Sequence, residues 1–351
     1  MKKKILIFCS SVVMFVIVTS CKPEKQENYL FQPISSEVSG IDFSNNLKLD
    51  DDLNILNYIY YYNGGGVSVG DINNDGLEDL FFTGNQVSNK LYLNLGGLKF
   101  KDITQFAGVQ SKGWSTGVTM VDINADGWMD IYVCKSGYSN ATSRKNLLYI
   151  NKGDCTFTEM AQNYGLADDS YSTQTAFFDY DFDGDLDMYL LNHMQQVTGM
   201  NNPVSKKLQG ESKNTDKLYR NEGNSESGYP IFTNVSKDAG ITIEGFGLGL
   251  GISDLNQDGY PDIYVSNDFI SNDIMYINQG DGTFKDKSKD FLKHQSHNGM
   301  GNDIADINND GFTDILVLDM LPSKNRERKL MLSKPNYNLF EYSKSKGYQP
   351  Q

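Results

Sequence analysis

The chain has 351 residues, enough for one large β domain or for two domains. Asp and Glu outnumber Lys and Arg by 45 to 31, and the formal net charge of −14 argues against a nucleic-acid partner, because phosphate binding needs a basic face. Tyr, Phe and Gly are abundant, with 21, 19 and 33 copies, and only 8 prolines occur, which indicates many short strands joined by tight turns.

The first twenty residues predict a lipoprotein signal peptide. MKKK is a basic start, and the apolar run ILIFCSSVVMFVIVTS is shorter than the about 20 residues of a membrane-spanning helix. The run ends in Val18-Thr19-Ser20-Cys21, which resembles a bacterial lipobox and implies a lipid on Cys21. We expect a signal peptide over 1–20, a tether over 21–29 and an exported lipoprotein of the bacterial outer membrane, facing either side. An ordinary signal or an N-terminal anchor helix, with Cys21 incidental, is the alternative.

A nine-residue acidic motif recurs five times in the rest of the chain. DINNDGLED, which opens at Asp71, is followed by DINADGWMD, DYDFDGDLD, DLNQDGYPD and DINNDGFTD, with openings 51, 57, 75 and 52 residues apart. Every copy has Asp at position 1, Asp or Asn at 3, Asp at 5, Gly at 6 and Asp at 9. Positions 1, 3, 5 and 9 supply the candidate metal ligands: Asp71, Asn73, Asp75, Asp79, Asp122, Asn124, Asp126, Asp130, Asp179, Asp181, Asp183, Asp187, Asp254, Asn256, Asp258, Asp262, Asp306, Asn308, Asp310 and Asp314.

The spacing of these oxygen-bearing side chains predicts a calcium loop. Alternating side chains converge if the backbone curls, and Gly at position 6 permits the turn because it tolerates positive φ. With a carbonyl from position 7 and two oxygens from Asp at position 9, the shell holds only oxygen and suits calcium better than zinc or copper. We expect about five Ca²⁺ ions, which would neutralise most of the net charge of −14. Metal-free Asp/Asn/Gly turns are the alternative, whereas an EF-hand would need an acid at position 12 and helical flanks.

Each motif occupies the same place in a repeating set of four predicted strands. A glycine-rich strand A precedes the motif, an apolar strand B follows it, strand C carries Tyr-x-Asn, and strand D begins at Phe. A glycine stands five residues before four of the motifs, and Gln174 takes its place in the third. Small residues are expected where inner strands converge on a narrow channel. The period of about 50 residues fits a four-stranded propeller blade.

These units resemble FG-GAP or VCBS repeats, the calcium-bearing blades of integrin-α-type propellers. The stretch GFGLGLGISDLNQDGYPDIYVSND, residues 245–268, carries the resemblance best, and the likeness extends over about residues 30 to 320. It implies an all-β fold over 30–319, a β-propeller of four-stranded blades with calcium loops between strands A and B. FQPISSEVSGIDF and LDMLPSKNRERKLML resemble the N-terminal part of large exported bacterial proteins of the cartilage-acidic-protein-like class.

The ends of the repeat region predict an incomplete ring. Residues 31–41, FQPISSEVSGI, align with FTNVSKDAGI and are predicted as a strand D without its own strands A, B and C. The fifth unit has strands A and B but no Tyr-x-Asn strand, and a basic, partly helical tail follows over 320–351. We expect a longer protein in which this tail starts an insertion. A five-bladed ring closed by the tail is the alternative, so the blade count stays open.

Two classes of function fit this sequence. The first is a lipid-anchored, calcium-stabilised adhesion or binding module that presents loops, such as the insertion 193–216, to an unknown protein or glycan. The second is a polysaccharide lyase built on a calcium-rich propeller. No nucleophile motif and no Walker loop occurs, and the pair His294 and His297 lacks a third ligand nearby. We therefore favour the non-catalytic module, although the insertion can also be read as a variable solvated loop.

Two further groups of residues have open roles. The tyrosines of NYIYYYNGGG can stack on sugar rings or pack between blades, and we expect packing for Tyr58, Tyr60, Tyr61 and Tyr62. Cys134 and Cys155 fall on predicted strands that are not neighbours, so we expect two free thiols rather than the disulfide that export would permit.

Overall fold

The computed structural model describes residues 30–49, 51, 53–137, 140–193, 204–268, 271–320, 322–331 and 337–348. The predicted signal peptide, Cys21 and the tether lie outside these residues. The chain divides into two units, Met1–Ser39 and Gly40–Gln351. In the first unit the described residues contain helix α1 (Ser36–Ser39). No helix among the described residues combines the length and the apolar character needed to cross a membrane.

Antiparallel sheets make up most of the described part of the second unit. Sheets 1 to 4 have four strands each, paired in chain order, and sheet 5 has two. The strands are β1 Val67–Gly70, β2 Asp79–Phe82, β3 Lys90–Asn94 and β4 Phe100–Asp102; β5 Trp114–Val121, β6 Asp130–Ser136, β7 Leu147–Asn151 and β8 Phe157–Glu159; β9 Ser172–Phe178, β10 Asp187–Asn192, β11 Lys217–Asn224 and β12 Pro230–Asn234; β13 Gly247–Ser253, β14 Asp262–Asn267, β15 Ile274–Asn278 and β16 Phe284–Asp286; and β17 Gly299–Ala305 and β18 Asp314–Asp319.

Short helices lie between strands and in the tail. They are α2 Thr104–Ala107, α3 Ala141–Arg144, α4 Ala161–Tyr164, α5 Ser288–Phe291, α6 Asn325–Met331 and α7 Tyr337–Ser345. The four strands of each complete sheet correspond to the predicted strands A, B, C and D. The all-β fold of four-stranded units is thereby confirmed, and the five sheets are consistent with an incomplete propeller.

The first strands of successive sheets lie against one another. β1 contacts β5, β5 contacts β9, β9 contacts β13, and β13 contacts β17. The main-chain N–H of Gly66 donates a 2.9 Å hydrogen bond to the Thr116 carbonyl oxygen across the first of these contacts. A Cβ on Gly117 would lie closer than 3.0 Å to the Thr173 carbonyl oxygen. Glycine is therefore needed here because the neighbouring backbone occupies the space of a side chain, as the sequence predicted.

Apolar side chains from neighbouring sheets form the core between those sheets. Phe81 of β2 and Ile131 of β6 belong to the cluster between sheets 1 and 2, and two similar clusters lie between sheets 2 and 3 and between sheets 3 and 4. Burial of one such side chain contributes roughly 1.5–3 kcal/mol. On the end sheets the outer faces keep apolar surface, since Val69 is 55% and Leu318 is 62% exposed. Each sheet thus buries its apolar face against a neighbouring sheet.

The predicted strand D at residues 31–41 is wrong. The described residues of this range form helix α1 and no strand. The turn that follows strand D in other repeats is present, since Gly40 has a φ of 75° and Gly165 one of 78°. A Cβ on either glycine would also lie closer than 3.0 Å to a carbonyl oxygen, that of Phe100 or of Phe232. In the complete sheets a strand C precedes strand D and holds it by a hydrogen-bonded ladder. No such strand precedes this segment among the described residues.

The tyrosine segment packs inside the second unit. Tyr58, Tyr60 and Tyr61 are at most 4% exposed, whereas Tyr62 is 63% exposed. The Tyr61 ring lies 5.2 Å from the Trp114 ring, measured between centroids. The expected packing role is confirmed for the first three tyrosines and is wrong for Tyr62, which follows them at the surface.

Both cysteines outside the N-terminal region are free thiols. Cys134 is buried on β6, and Cys155 is partly buried in the turn before β8. The expectation of two free thiols is confirmed.

The insertion between β10 and β11 is anchored on two other segments. The main-chain N–H of Lys206 donates to the carbonyl oxygen of Lys346 at 2.8 Å, just beyond α7. That of Lys207 donates to Glu244 Oε1, also at 2.8 Å. Residues 194–203 lie outside the described residues. The described part of the insertion is therefore a largely exposed loop that is anchored at a few points, one of them in the tail.

Candidate cation-binding loops

The five acidic motifs connect the first and second strands of the five sheets. We name them loop 1 (71–79), loop 2 (122–130), loop 3 (179–187), loop 4 (254–262) and loop 5 (306–314). In every loop the main-chain N–H of the glycine at position 6 donates to the carboxylate at position 1, at 2.7–3.0 Å. The position-1 carboxylate therefore curls the loop around itself and brings the alternating side chains to one side.

Two positions in each loop adopt left-handed backbone conformations. The glycines at position 6 have φ between 83° and 96°, which confirms the predicted turn. Position 4 was missed by the sequence analysis, and its φ lies between 56° and 62° in all five loops. The residues at position 4 are Asn74, Ala125, Phe182, Gln257 and Asn309. Asn tolerates this region well, but Ala, Phe and Gln conceal the pattern because they rarely adopt it.

The carboxylate at position 9 fastens each loop to its sheet. Asp79 Oδ2 accepts a 3.0 Å hydrogen bond from the Ile72 N–H, and Oδ1 accepts one of 2.7 Å from the Asn94 N–H on β3. Loops 2, 3 and 4 repeat both bonds. In loop 5, Asp314 accepts the bond from the Ile307 N–H. A carboxylate oxygen has a second lone pair, so these bonds leave capacity for a metal.

The asparagine of Tyr-x-Asn connects loops of neighbouring sheets. Asn151 Nδ2 donates to the Ile72 carbonyl oxygen of loop 1 at 2.9 Å and to the Met129 carbonyl oxygen of loop 2 at 3.1 Å. Asn278 Nδ2 likewise reaches the Tyr180 carbonyl oxygen of loop 3 at 2.8 Å. Its recurrence was visible in the sequence, but this connecting role was not assigned. A change in one loop can therefore reach the next sheet directly.

Loop 3 holds the densest group of carboxylates. Asp179, Asp181 and Asp187 each offer an oxygen within 4.8 Å of the others, the only such trio of acidic, His or Cys ligands among the described residues. Oδ1 of Asp179 and Oδ1 of Asp181 are buried and have no hydrogen-bond partner. An unsatisfied buried oxygen costs roughly 1–3 kcal/mol or more when charged. Such oxygens, in a site of oxygen ligands only, fit Ca²⁺.

The difference between loop 3 and the other loops is the residue at position 3. In loop 1, Asn73 Nδ2 donates to Asp75 Oδ2 at 2.9 Å, and loops 2 and 4 repeat this bond. Loop 3 has Asp181 at this position, and a carboxylate cannot donate. In loops 1, 2 and 4 the amide at position 3 thus gives one carboxylate oxygen a hydrogen bond. Loop 3 has no such amide and keeps carboxylate oxygens without a partner.

Burial and mutual repulsion disfavour ionisation of these carboxyl groups. Burial, with smaller contributions from the charges of Asp181 and Asp183, raises the pKa of Asp187 to about 7. Burial likewise raises the pKa of Asp130 to about 7, with smaller contributions from the other acids of loop 2. A bound cation would reverse both effects because it favours the charged form.

The histidines do not extend these centres. His294 and His297 are exposed, and neither belongs to a group of three potential ligands in the described parts of the chain. His193 is buried near the tyrosine segment, away from the loops. His294 and His297 therefore have no third ligand within reach among the described residues.

A family model described as FG-GAP-like repeat matches residues 71–133 and 254–317. The chain contains FG-GAP-like repeats. The two matched ranges begin at position 1 of loops 1 and 4, and they include loops 2 and 5. Loop 3, between them, has the same nine-residue motif and the same hydrogen bonds at positions 1 and 9.

Curated relatives resemble the chain over part of their length. Cartilage acidic protein 1 of Homo sapiens is 27% identical over 208 residues, which cover 59% of this chain and 28% of the relative. The Xenopus tropicalis protein of the same name is 24% identical over 266 residues, 72% of this chain and 39% of the relative. The chain with its FG-GAP-like repeats thus spans well under half the length of these relatives. The names of the family and of the relatives denote no enzymatic activity.

One solved structure resembles the fold more distantly. It is described as an Agrocybe aegerita lectin that recognises non-reducing terminal N-acetylglucosamine. The superposition has a TM-score of 0.38 and 17% identity, and it covers 72% of this chain and 59% of the lectin. A score this low does not relate the two folds in detail.

Proposed function

We propose that this protein is a non-catalytic binding module of the bacterial cell envelope, stabilised by calcium in its FG-GAP-like loops and attached to the outer membrane through a lipid on Cys21. The observation that carries the calcium proposal is loop 3, where Asp179 and Asp181 each keep a buried oxygen without a partner. The ligands of each ion are the side chains at positions 1, 3, 5 and 9. The bound ion supplies positive charge that offsets the repulsion among them.

Calcium in these loops acts on the scaffold that presents the binding surface. Asn151 and Asn278 connect loops of adjacent sheets, so an ion in one loop restrains two sheets. The described part of the insertion, 204–216, is anchored through Lys207 to Glu244 just before β13. We place recognition of a protein or glycan on such loops, because rigid scaffolds present binding residues on their connections.

Thermal unfolding tests the calcium sites. A ligand that binds only the native state stabilises it by RT ln(1 + [L]/Kd), about 2.7 kcal/mol when its concentration is a hundred times Kd. We expect EDTA to lower Tm and excess calcium to restore it, with magnesium much less effective because it demands a tighter octahedral shell. An equal Tm in EDTA and in calcium would overturn the proposal.

Terbium luminescence reports on one loop separately. Trp128 is at position 7 of loop 2, and the other tryptophan, Trp114, is buried in the tyrosine cluster. Excitation at the red edge of Trp absorption should sensitise bound Tb³⁺, and Trp128→Phe should abolish most of the signal while calcium still restores Tm. Sensitised emission that survives this substitution would contradict an ion bound beside Trp128 in loop 2.

Anchoring and catalysis need their own measurements. Cys21→Ala should abolish labelling by a palmitate analogue in a bacterial host, and label that persists would exclude the anchor.

Incubation of the calcium-loaded protein with plant and host polysaccharides should yield no unsaturated products. Turnover in that assay, absent from a matched buffer control, would show that the protein is a lyase and not a non-catalytic binding module.

A further inference from the structure

A cavity of about 290 Å³ lies where the first strands of the sheets converge. We call it the axial cavity. Residues at or beside the first strand of each sheet line its walls: Gly66, Thr116, Gln174, Leu248 and Met300. The tyrosine segment contributes Tyr58 and Tyr60, and His193 follows directly after β10.

The lining of the axial cavity is uncharged and partly aromatic. None of its lining residues is Asp, Glu, Lys or Arg. The Tyr60 ring meets the His193 ring edge-on, with 4.7 Å between centroids, and the Tyr58 ring packs edge-on against Trp114 at 5.4 Å. Glycine, threonine and glutamine supply amide and hydroxyl groups along the remaining wall. Such a site offers neither an anion nor a cation a countercharge.

His193 has an unused polar atom at the cavity wall. Its side chain is fully buried. Nε2 lies 3.2 Å from Ser136 Oγ and 3.3 Å from the Tyr58 hydroxyl, whereas Nδ1 has no hydrogen-bond partner in the described structure. Burial lowers the pKa of His193 to about 3, so the imidazole is neutral near pH 7. The orphaned nitrogen is itself enclosed, so a ligand hydroxyl would satisfy it only after the side chains around it shift.

Gln174 departs from the repeat at the same place. The equivalent residue is glycine in the other four units: Gly66, Gly117, Gly249 and Gly301. Gln174 is exposed, lines the axial cavity, and its amide makes no hydrogen bond with other described residues. The third sheet therefore brings an exposed, unpaired amide to the cavity, next to a buried histidine whose Nδ1 is unpaired.

We propose that the axial cavity binds a small uncharged polyhydroxylated ligand, about one sugar unit in size, whose hydroxyls contact Gln174 and His193. The volume of about 290 Å³ is at the lower end of the range for ligand pockets, roughly 300–1,000 Å³. Neutral donors and acceptors beside apolar wall atoms complement the hydroxyls and the apolar face of a sugar ring. The cavity is separate from the acidic loops, so the inference goes beyond calcium-dependent binding by surface loops.

Ligand-observed NMR and calorimetry with glucose, galactose, N-acetylglucosamine and glycerol test the assignment. We expect one of these to bind with a Kd of about a millimolar or below, a strength typical of a small ligand. Gln174→Gly, which restores the glycine of the other repeats, should weaken binding at least tenfold, with only the small fall in Tm that a glycine within a strand causes. Gln110→Gly, an exposed position outside the cavity, is the matched control and should leave binding unchanged.

A second measurement uses the unaltered protein. Addition of the bound sugar should shift the ¹⁵N resonance of His193 Nδ1, since the ligand supplies its missing partner. The proposal is overturned if none of the four compounds binds, if Gln174→Gly binds as the wild type does, or if a crystal soaked with sugar holds ordered water only in the cavity.

The calcium response of the same samples separates the two proposals. If sugar binds and Tm is equal in EDTA and in calcium, the calcium proposal fails and the axial-cavity proposal stands. If Tm depends on calcium and no sugar binds, the axial-cavity proposal fails and the calcium proposal stands.

Discussion

The side chain of Asn74 in loop 1 donates a 3.0 Å hydrogen bond to the carbonyl oxygen of Gly127 in loop 2. The same geometry recurs between the last two loops, where Gln257 Nε2 donates to the carbonyl oxygen of Gly311 at 3.0 Å. In both cases the donor is at position 4 and the acceptor at position 6 of the following loop. The left-handed residue at position 4 thus directs its side chain to the neighbouring sheet.

Loops 3 and 4 make the corresponding contact without a hydrogen bond. The Phe182 ring at position 4 of loop 3 lies 5.0 Å from the Tyr260 ring of loop 4, between centroids. Loop 2 has Ala125 at this position and lacks a side chain long enough for such a contact. Adjacent loops are therefore joined in pairs: 1 with 2, 3 with 4, and 4 with 5.

Asn74→Ala should destabilise the protein by about 1 kcal/mol, the usual net value of one hydrogen bond. Asn309→Ala is the matched control, because Asn309 has the same position and φ in loop 5 and makes no side-chain hydrogen bond among the described residues. The Asn309→Ala variant also loses the preference of Asn for the left-handed region, but it breaks no hydrogen bond between loops. Urea unfolding of both variants isolates the cross-loop bond, and equal losses of stability would show that Asn74 acts only through its backbone.

Asp181→Asn should stabilise the calcium-free protein and reduce its response to calcium. The substitution gives loop 3 the amide that donates within loops 1, 2 and 4, and it removes one of two orphaned oxygens. We expect about 1 kcal/mol of added stability in EDTA and a smaller rise of Tm on addition of calcium. Asn256→Asp in loop 4 is the reverse change and should shift both quantities the opposite way. A larger calcium response after Asp181→Asn would contradict the role of its carboxylate as a ligand.

Asp216 is a buried acid outside the loops. Its Oδ1 accepts a hydrogen bond from the Asn192 N–H, and its Oδ2 accepts one from the Tyr189 hydroxyl, both at 2.8 Å. Burial raises the pKa of Asp216 to about 7. Sheet 2 has Asn146 in the equivalent place, which accepts from the Lys135 N–H in the same way and needs no charge.

Asp216→Asn should remove a pH dependence of stability. Because the folded state raises the pKa of Asp216 above its unfolded value, the native protein holds a proton that the unfolded chain has lost between about pH 4 and 7. Its contribution to stability is complete below pH 4 and declines as pH rises through 7, by up to about 1.4 kcal/mol per pH unit. The free energy of unfolding, measured from pH 4.5 to 7.5, should fall less steeply in the variant. Parallel curves for both proteins would show that Asp216 stays ionised when folded.

The sequence predicted the features that depend on spacing along the chain. The position of the loops, the positive φ at Gly76 and its equivalents, and the order of four strands per sheet follow from a repeat read five times. Gly66, just before β1, and Gly117 of β5 also fit, because backbone atoms of the next sheet lie where a Cβ would be. Gln174 in the third repeat does not follow this rule.

The features that were missed depend on neighbours from other sheets. The φ of Phe182 is unexpected for its residue type and results from the loop around it. The link from Asn151 to Ile72 joins residues 79 positions apart. The departure at Gln174 was visible as an exception, but its meaning needed the axial cavity and the buried His193 beside it. A pattern within one repeat cannot specify contacts between repeats.

Gly117→Ala should destabilise the protein by about 1–3 kcal/mol, the usual cost of overpacking a fitted interior. A Cβ there would lie closer than 3.0 Å to the Thr173 carbonyl oxygen and about 3.0 Å from the Gln174 Cα, and backbone atoms cannot move aside as a side-chain end can. Gly301→Ala is the matched control: Gly301 has the same place in the fifth repeat, but a Cβ would meet no atom within 4 Å. It should be neutral, or stabilising by a few tenths of a kcal/mol because alanine restricts the unfolded chain. Urea unfolding should therefore separate the two variants, and equal stabilities would show that the first strands of sheets 2 and 3 do not pack as closely as the structure describes.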